Sequence, residues 1–156
     1  MSTDLMGTFY DVVKWFNNFD PSNWPQLEPL LHKNIKMKRM DELNTNSYHE
    51  GRDKVKDYLC VGNGRADKAV FVPDKDPDHK EIDDYGFVSG VAWFIDKTDP
   101  NPSPPRRIAY SFVYKREANN WQEIHSWGKY EEKITNKDKI TKDKIKELLD
   151  YKPANS

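Results

Sequence analysis

The stretch Arg106 to Gly128, RRIAYSFVYKREANNWQEIHSWG, constrains the chain most. Ile108, Tyr110, Phe112 and Tyr114 alternate with Ala109, Ser111, Val113 and Lys115. After the polar turn Glu117-Ala118-Asn119-Asn120, the residues Trp121, Glu123, His125 and Trp127 alternate with Gln122, Ile124 and Ser126. Period-two patterning on both sides of a turn predicts a β-hairpin. With an even-numbered turn, Tyr114 falls opposite Glu123, Phe112 opposite His125, and Tyr110 opposite Trp127. One face would then present aromatic rings around a single acid and a single imidazole.

The 156-residue chain has room for one domain with a core and is short for two. Lys and Arg number 25 against 26 Asp and Glu, a formal net charge of -1, so no excess positive field exists to hold nucleic acid or an anionic membrane. The longest apolar runs, such as Val91 to Ile95, fall far below the ~20 residues of a membrane span, and Met1 to Tyr10 lacks a signal-peptide layout. These features point to a soluble, cytoplasmic protein. Cys60 is the single cysteine, has no disulfide partner and no metal-ligand spacing around it, and reads as a small buried hydrophobe. Five Trp, eight Tyr and seven Phe carry much of the apolar content, enough to build a core and to line a cavity as well.

Leu5, Phe9, Val12, Val13 and Phe16 are spaced as the buried face of a first helix over 4–19, with Ser2 or Thr3 as N-cap and Asp4 in the first turn. Asp20-Pro21-Ser22-Asn23 ends it, and Pro25 and Pro29 limit the next helix to something short or distorted. Ile35 to Met40 reads as a half-exposed strand, 41–50 as a polar loop, and Gly51 to Leu59 as a helix stopped by Gly62 and Gly64. Ala69 to Val72 is a short strand. Tyr85 to Asp96 is a long one, in which Gly86 and Gly90 suggest a bulge or bend. Asp99 to Pro105 is an exposed connection to the hairpin, whose second strand runs to about Glu132. A charged helix over 141–151 and a polar tail complete the chain. Helices segregated from antiparallel strands imply an α+β fold, with helices on one face of a bent sheet.

The opening WFNNFDPSNWPQLEPLLHKNIKM at 15–37, the helix GRDKVKDYL at 51–59 and WQEIH at 121–125 together resemble the nuclear transport factor 2-like superfamily, which includes SnoaL-like polyketide cyclases, ketosteroid isomerases, scytalone dehydratases and kinase association domains. The resemblance covers about residues 4–130. It implies a domain over 1–132 followed by a C-terminal helical extension over 133–156. It further implies a sheet curled into a cone around the first helix, a cofactor-free pocket for a small hydrophobic or aromatic molecule, and commonly a homodimer. Trp127 departs from the family in standing where a second polar residue is often found. The Asp, His or Arg sets of characterised members do not map onto this chain.

The candidate chemistry is proton transfer beside a carbonyl, as in isomerisation, dehydration or cyclisation. His125 would be the general acid or base, Glu123 its orienting partner and Tyr110 the oxyanion donor. Tyr10, Trp15, Tyr48, Tyr58, Trp93, Phe112, Tyr114 and Trp127 are the candidate pocket walls. Each also has a plain reading as core, and His125 as a structural histidine at a subunit contact. Two non-catalytic alternatives stand beside the enzyme: a ligand carrier, or an assembly module working through the outer sheet face, where Ala109, Ser111 and Val113 suit close packing.

No metal site is expected. Asp74, Asp76 and Asp78 imitate the start of a calcium loop, but His79 and Tyr85 stand where Gly and Glu are required. Gly62-Asn63-Gly64-Arg65 is a turn rather than a phosphate loop. Lys133 to Lys146 is charge-balanced and reads as a solvated face.

Overall fold

The computed structural model describes residues 4–40, 46–60, 69–96, 105–130 and 141–153. Helix α1 (Leu5–Asn17) is started by Asp4, whose carboxylate accepts from the Gly7 amide, so the N-cap lies one position beyond Thr3 and two beyond Ser2, the residues expected there. Two one-turn 3₁₀ segments flank a single-turn α2 (Trp24–Leu27), as the prolines require. Strand β1 (Leu31–Met40) pairs with β2 (Asn46–Glu50), and α3 (Arg52–Cys60) follows. Then come β3 (Ala69–Pro73), β4 (Asp78–Ile82), β5 (Tyr85–Asp96), β6 (Arg106–Glu117), β7 (Asn120–Tyr130) and α4 (Lys142–Leu149).

The seven strands form one sheet in the order β2-β1-β7-β6-β5-β3, with β4 also paired to β5. Every pairing is antiparallel except that of β1 with β7, which is parallel, so the sheet is mixed rather than purely antiparallel. Helix α1 crosses the inner face. Phe9 stacks on Tyr110 with ring centroids 5.9 Å apart, and the Asn17 side chain accepts from the Phe71 amide at 2.7 Å and donates to the Phe71 carbonyl at 2.9 Å. These two bonds pin the last turn of α1 to β3, which fixes the helix along the sheet.

Gly86 and Gly90 do not mark a break in pairing, since β5 runs in unbroken register with β6 from Tyr85 to Phe94. They make room. A Cβ on Gly86 would lie 2.5 Å from Leu5 Cδ1, and one on Gly90 would lie 3.0 Å from the Tyr110 hydroxyl. Closeness of α1 and of the Tyr110 ring to the sheet therefore depends on missing side chains.

Two elements differ from the sequence reading because they are edge strands. β2 falls in the stretch read as loop, and β4 is solvent-exposed along its whole length. Neither carries the apolar alternation that announces a half-buried strand, and backbone pairing to one neighbour defines them instead. Helix α4 packs on the outer face at the β3–β5 end, where Leu148 and Ile145 meet Val70, Val72, Trp93 and Ile95. Gly62 to Arg65, Asp99 to Pro104 and 133–140 lie outside the described residues.

Candidate functional site

The hairpin turn is tight. Ala118 and Asn119 both take positive φ, 49° and 67°, and Glu117 pairs with Asn120, giving the two-residue turn whose twist matches its strands. From there the pairing runs as expected to Tyr114 opposite Glu123. Between Glu123 and His125 the register slips by one residue, leaving Ile124 as a β-bulge, and His125 pairs with Val113. The consequence is a correction to the site. Tyr110, Phe112 and Tyr114 face inward with Glu123, Ser126 and Gly128, whereas His125 and Trp127 pair with Val113 and Ser111 on the outer face.

The inner residues enclose a hollow. Its walls are Val12, Val13 and Phe16 of α1, Leu27, Leu31 and Met37, Leu59 of α3, Phe71 and Phe94, and Ile108, Tyr110, Phe112, Glu123, Ser126 and Gly128 of the hairpin. The void has a volume of about 60 Å³. Apolar side chains dominate the walls, with Glu123, Ser126 and Tyr110 as the polar exceptions.

Glu123 is 2 % exposed, an unusual burial for a carboxylate. The fully buried Tyr114 stands opposite it, and its phenol is pushed well up, first by burial and then by the Glu123 charge, so it remains a neutral O–H. Tyr110 is likewise pushed up, chiefly by burial with Tyr10 and Asp74 adding to it. Among the described residues neither the Tyr110 nor the Tyr114 hydroxyl has a hydrogen-bond partner. A polar guest atom or a water beside them would meet an available donor.

Of the expected site residues, the catalytic candidates Tyr110 and Glu123 and the expected wall Phe112 meet at the hollow, and Tyr114 backs Glu123 without lining it. The others lie elsewhere. Tyr10 packs edge-on against Phe9, 5.0 Å between centroids, and Trp15 lies half-buried against the core with the Lys14 ammonium 5.2 Å from its ring. Tyr58 stacks on His49 at 4.1 Å. Tyr48 pairs with Lys38, is half-exposed, and its hydroxyl donates to Glu50 at 3.2 Å. Trp93 lies on the outer face between α4 and the Arg107 guanidinium, which stands 4.5 Å from the ring centroid. The walls not singled out in the sequence are mostly aliphatic side chains; helical spacing had put Val12, Val13 and Phe16 on the buried face of α1, and strand alternation had put Ile108 on the face of Tyr110 and Phe112.

Among the described residues no group of three or more His, Cys, Asp or Glu is placed to hold a metal ion. Asp74, the first residue of the calcium-like run, is held by Arg107 through two bonds of 3.0 and 2.6 Å. Nor is any described helix long and apolar enough to cross a membrane.

A mixed curved sheet wrapped on a long first helix, with a hollow between them, defines the nuclear transport factor 2-like fold, and this chain has it. The hub domain of S. rosetta CaMKII superposes with a TM-score of 0.62 at 15 % identity, covering 81 % of this chain and 93 % of its own. A nuclear transport factor 2-like superfamily protein from Salmonella enterica gives 0.62 at 11 % identity, covering 86 % and 93 %. A candidate scytalone dehydratase from Novosphingobium aromaticivorans gives 0.61 at 12 % identity, covering 81 % of each chain. No protein-family model and no curated protein matches the sequence.

Proposed function

We propose that the chain holds a small apolar or aromatic organic molecule in the hollow beneath the sheet, with Glu123 as the group that would accept or return a proton. The observation that carries this reading is a buried carboxylate on the wall of a largely apolar cavity, opposite the Tyr114 phenol, which stays protonated. Such a pairing of proton acceptor and neutral O–H donor suits proton transfer next to a carbonyl. The likeness to a candidate scytalone dehydratase is compatible with it. His125 leaves the mechanism, and Glu123 takes over its role. Ser126→Phe fills the hollow from its wall, so binding of indole or phenol, followed by calorimetry, is expected to disappear in that variant. Binding that survives the substitution overturns the reading. On any verified substrate, Glu123→Gln is expected to lower turnover by roughly 10²–10⁴.

A second reading rests on a separate observation. The outer face carries Phe87, Val113 and Trp127 around the small residues Ser89, Ala109 and Ser111, in direct cross-strand register. That surface suits packing of a second copy into a homodimer, and three structural neighbours are described as kinase hub or association domains. Sedimentation at micromolar concentration tests it: a monomer with Trp127 intact argues against assembly through this face. The two readings use opposite faces of one sheet and are compatible.

A further inference from the structure

We infer that the guest of this hollow is an enolisable ketone, whose carbonyl oxygen accepts from the Ser126 hydroxyl while the carbon beside it faces Glu123. The inference rests on the pocket reading and adds the class of guest and the residue that receives its oxygen. The bulge at Ile124 makes the arrangement. Glu123 is opposite Tyr114 and Ser126 opposite Phe112, so three positions of β7 are drawn in to the length of two on β6. At the rise of a strand their Cα atoms stand roughly 7 Å apart, the spacing of neighbours on one face. On the other side Glu123 pairs with Leu31 and Ser126 with Met37 of β1. Leu31, Met37 and Phe112 all line the hollow, so Glu123 and Ser126 stand side by side in an apolar wall, on a strand paired along both edges.

Neither tyrosine competes for that place. The Tyr110 ring lines the hollow, but its hydroxyl lies over Gly90 of β5, 3.0 Å from where a Cβ would stand, and Gly90 is not a wall. The groups that push this phenol up after burial, Tyr10, Asp74, Tyr151 and Asp78, are not walls either. Tyr114 stands opposite Glu123 and does not line the hollow. Ser126 is half-buried on the covered face, between Phe112 and Met37, so its open surface is turned to the hollow.

The step this serves balances within the guest. Glu123 takes the proton from the carbon beside the carbonyl, the C–H electron pair becomes a C=C bond, and the carbonyl π pair moves to oxygen. Ser126 keeps its proton, and its hydrogen bond strengthens as that oxygen gains charge. Return of the proton to the same carbon regenerates the ketone, and return to a conjugated carbon gives its isomer.

The test uses the full chain with cyclohexanone, isotope-labelled at the carbonyl carbon, and its isostere methylenecyclohexane, in which a methylene group replaces the oxygen. Affinities are read by NMR titration of wild type, Ser126→Ala and Tyr110→Phe, substitutions that add no atom to the walls. Expected is a preference for the ketone of roughly twofold to tenfold in wild type, the worth of one hydrogen bond, with the bound carbonyl resonance moved downfield. Both effects should vanish in Ser126→Ala, with binding of the alkene kept, and persist in Tyr110→Phe. A preference and a carbonyl shift unchanged in Ser126→Ala, or lost in Tyr110→Phe instead, overturn the assignment to Ser126. Equal binding of ketone and alkene by wild type, or binding of indole but of neither probe, overturns the ketone class while the pocket reading stands. Failure of indole and both probes overturns the pocket reading along with it.

Discussion

Replacing Gly86 by Ala tests how closely α1 is seated on the sheet. The new Cβ would lie 2.5, 2.9 and 3.2 Å from Leu5 Cδ1, Cδ2 and Cγ, so the whole branched end of Leu5 is in the way and rotation alone does not clear it. Leu5 is 4 % exposed in the first turn of α1, so relief requires moving the helix start away from Gly86. Overpacking of this kind costs about 1–3 kcal/mol. In a Leu5→Ala background, itself destabilised by roughly 2–5 kcal/mol, the obstruction is gone. Gly86→Ala should there be neutral or stabilise by about 0.5–1 kcal/mol, because Ala loses less backbone freedom than Gly in a strand. The double-mutant cycle thus has an expected coupling of roughly 1.5–4 kcal/mol, read from urea unfolding midpoints at fixed m-value. Equal costs of Gly86→Ala in both backgrounds would refute the seating of Leu5 on Gly86.

Three further expectations concern other parts of the fold. Tyr114→Phe removes a buried hydroxyl that has no partner among the described residues, so it should leave stability unchanged or raise it by about 1 kcal/mol; a clear loss in thermal unfolding would show that the hydroxyl is bonded. Leu148→Ala empties the main anchor of α4 on Val70 and Ile95, and faster amide exchange across 142–149 should exceed any change in β6 and β7, whereas uniform exchange would show that α4 is not separately held. The Tyr151 phenol is pushed up to about 12, mainly by burial, with Tyr10 adding to it. A folded value above the unfolded one near 10 means that this contribution to stability is full below pH 10 and lost as pH rises through 12. Tyr151→Phe should accordingly flatten the alkaline decline in the urea midpoint between pH 9 and pH 12, and an unchanged decline would contradict the burial of that ring.

The sequence carried the elements with strong periodicity. Phe9, Val12 and Val13 at helical spacing mark α1, and the alternation from Ile108 to Tyr114 marks β6, because burying one face leaves a repeating apolar pattern. It did not carry the bulge at Ile124. One extra residue leaves no compositional trace, yet it exchanges the two faces for everything beyond it, and so His125 and Trp127 stand outside while Ser126 and Gly128 stand within. Trp93 was misplaced for a related reason. Strand β5 is apolar on both faces because α4 covers part of the outer one, and a strand covered on both sides does not announce which residues face the cavity. Glu123 kept its place because it precedes the slip.

The central claim is that the inner face, and not the outer, receives an apolar guest. Methyl-resolved NMR during titration with indole addresses it directly, since Met37, Leu59 and Ile108 line the hollow while Val113 and Val91 lie on the other side of the same sheet. Saturable shifts confined to the first set are the result expected. Shifts confined to Val113 and Val91, or none on either side, would contradict the account.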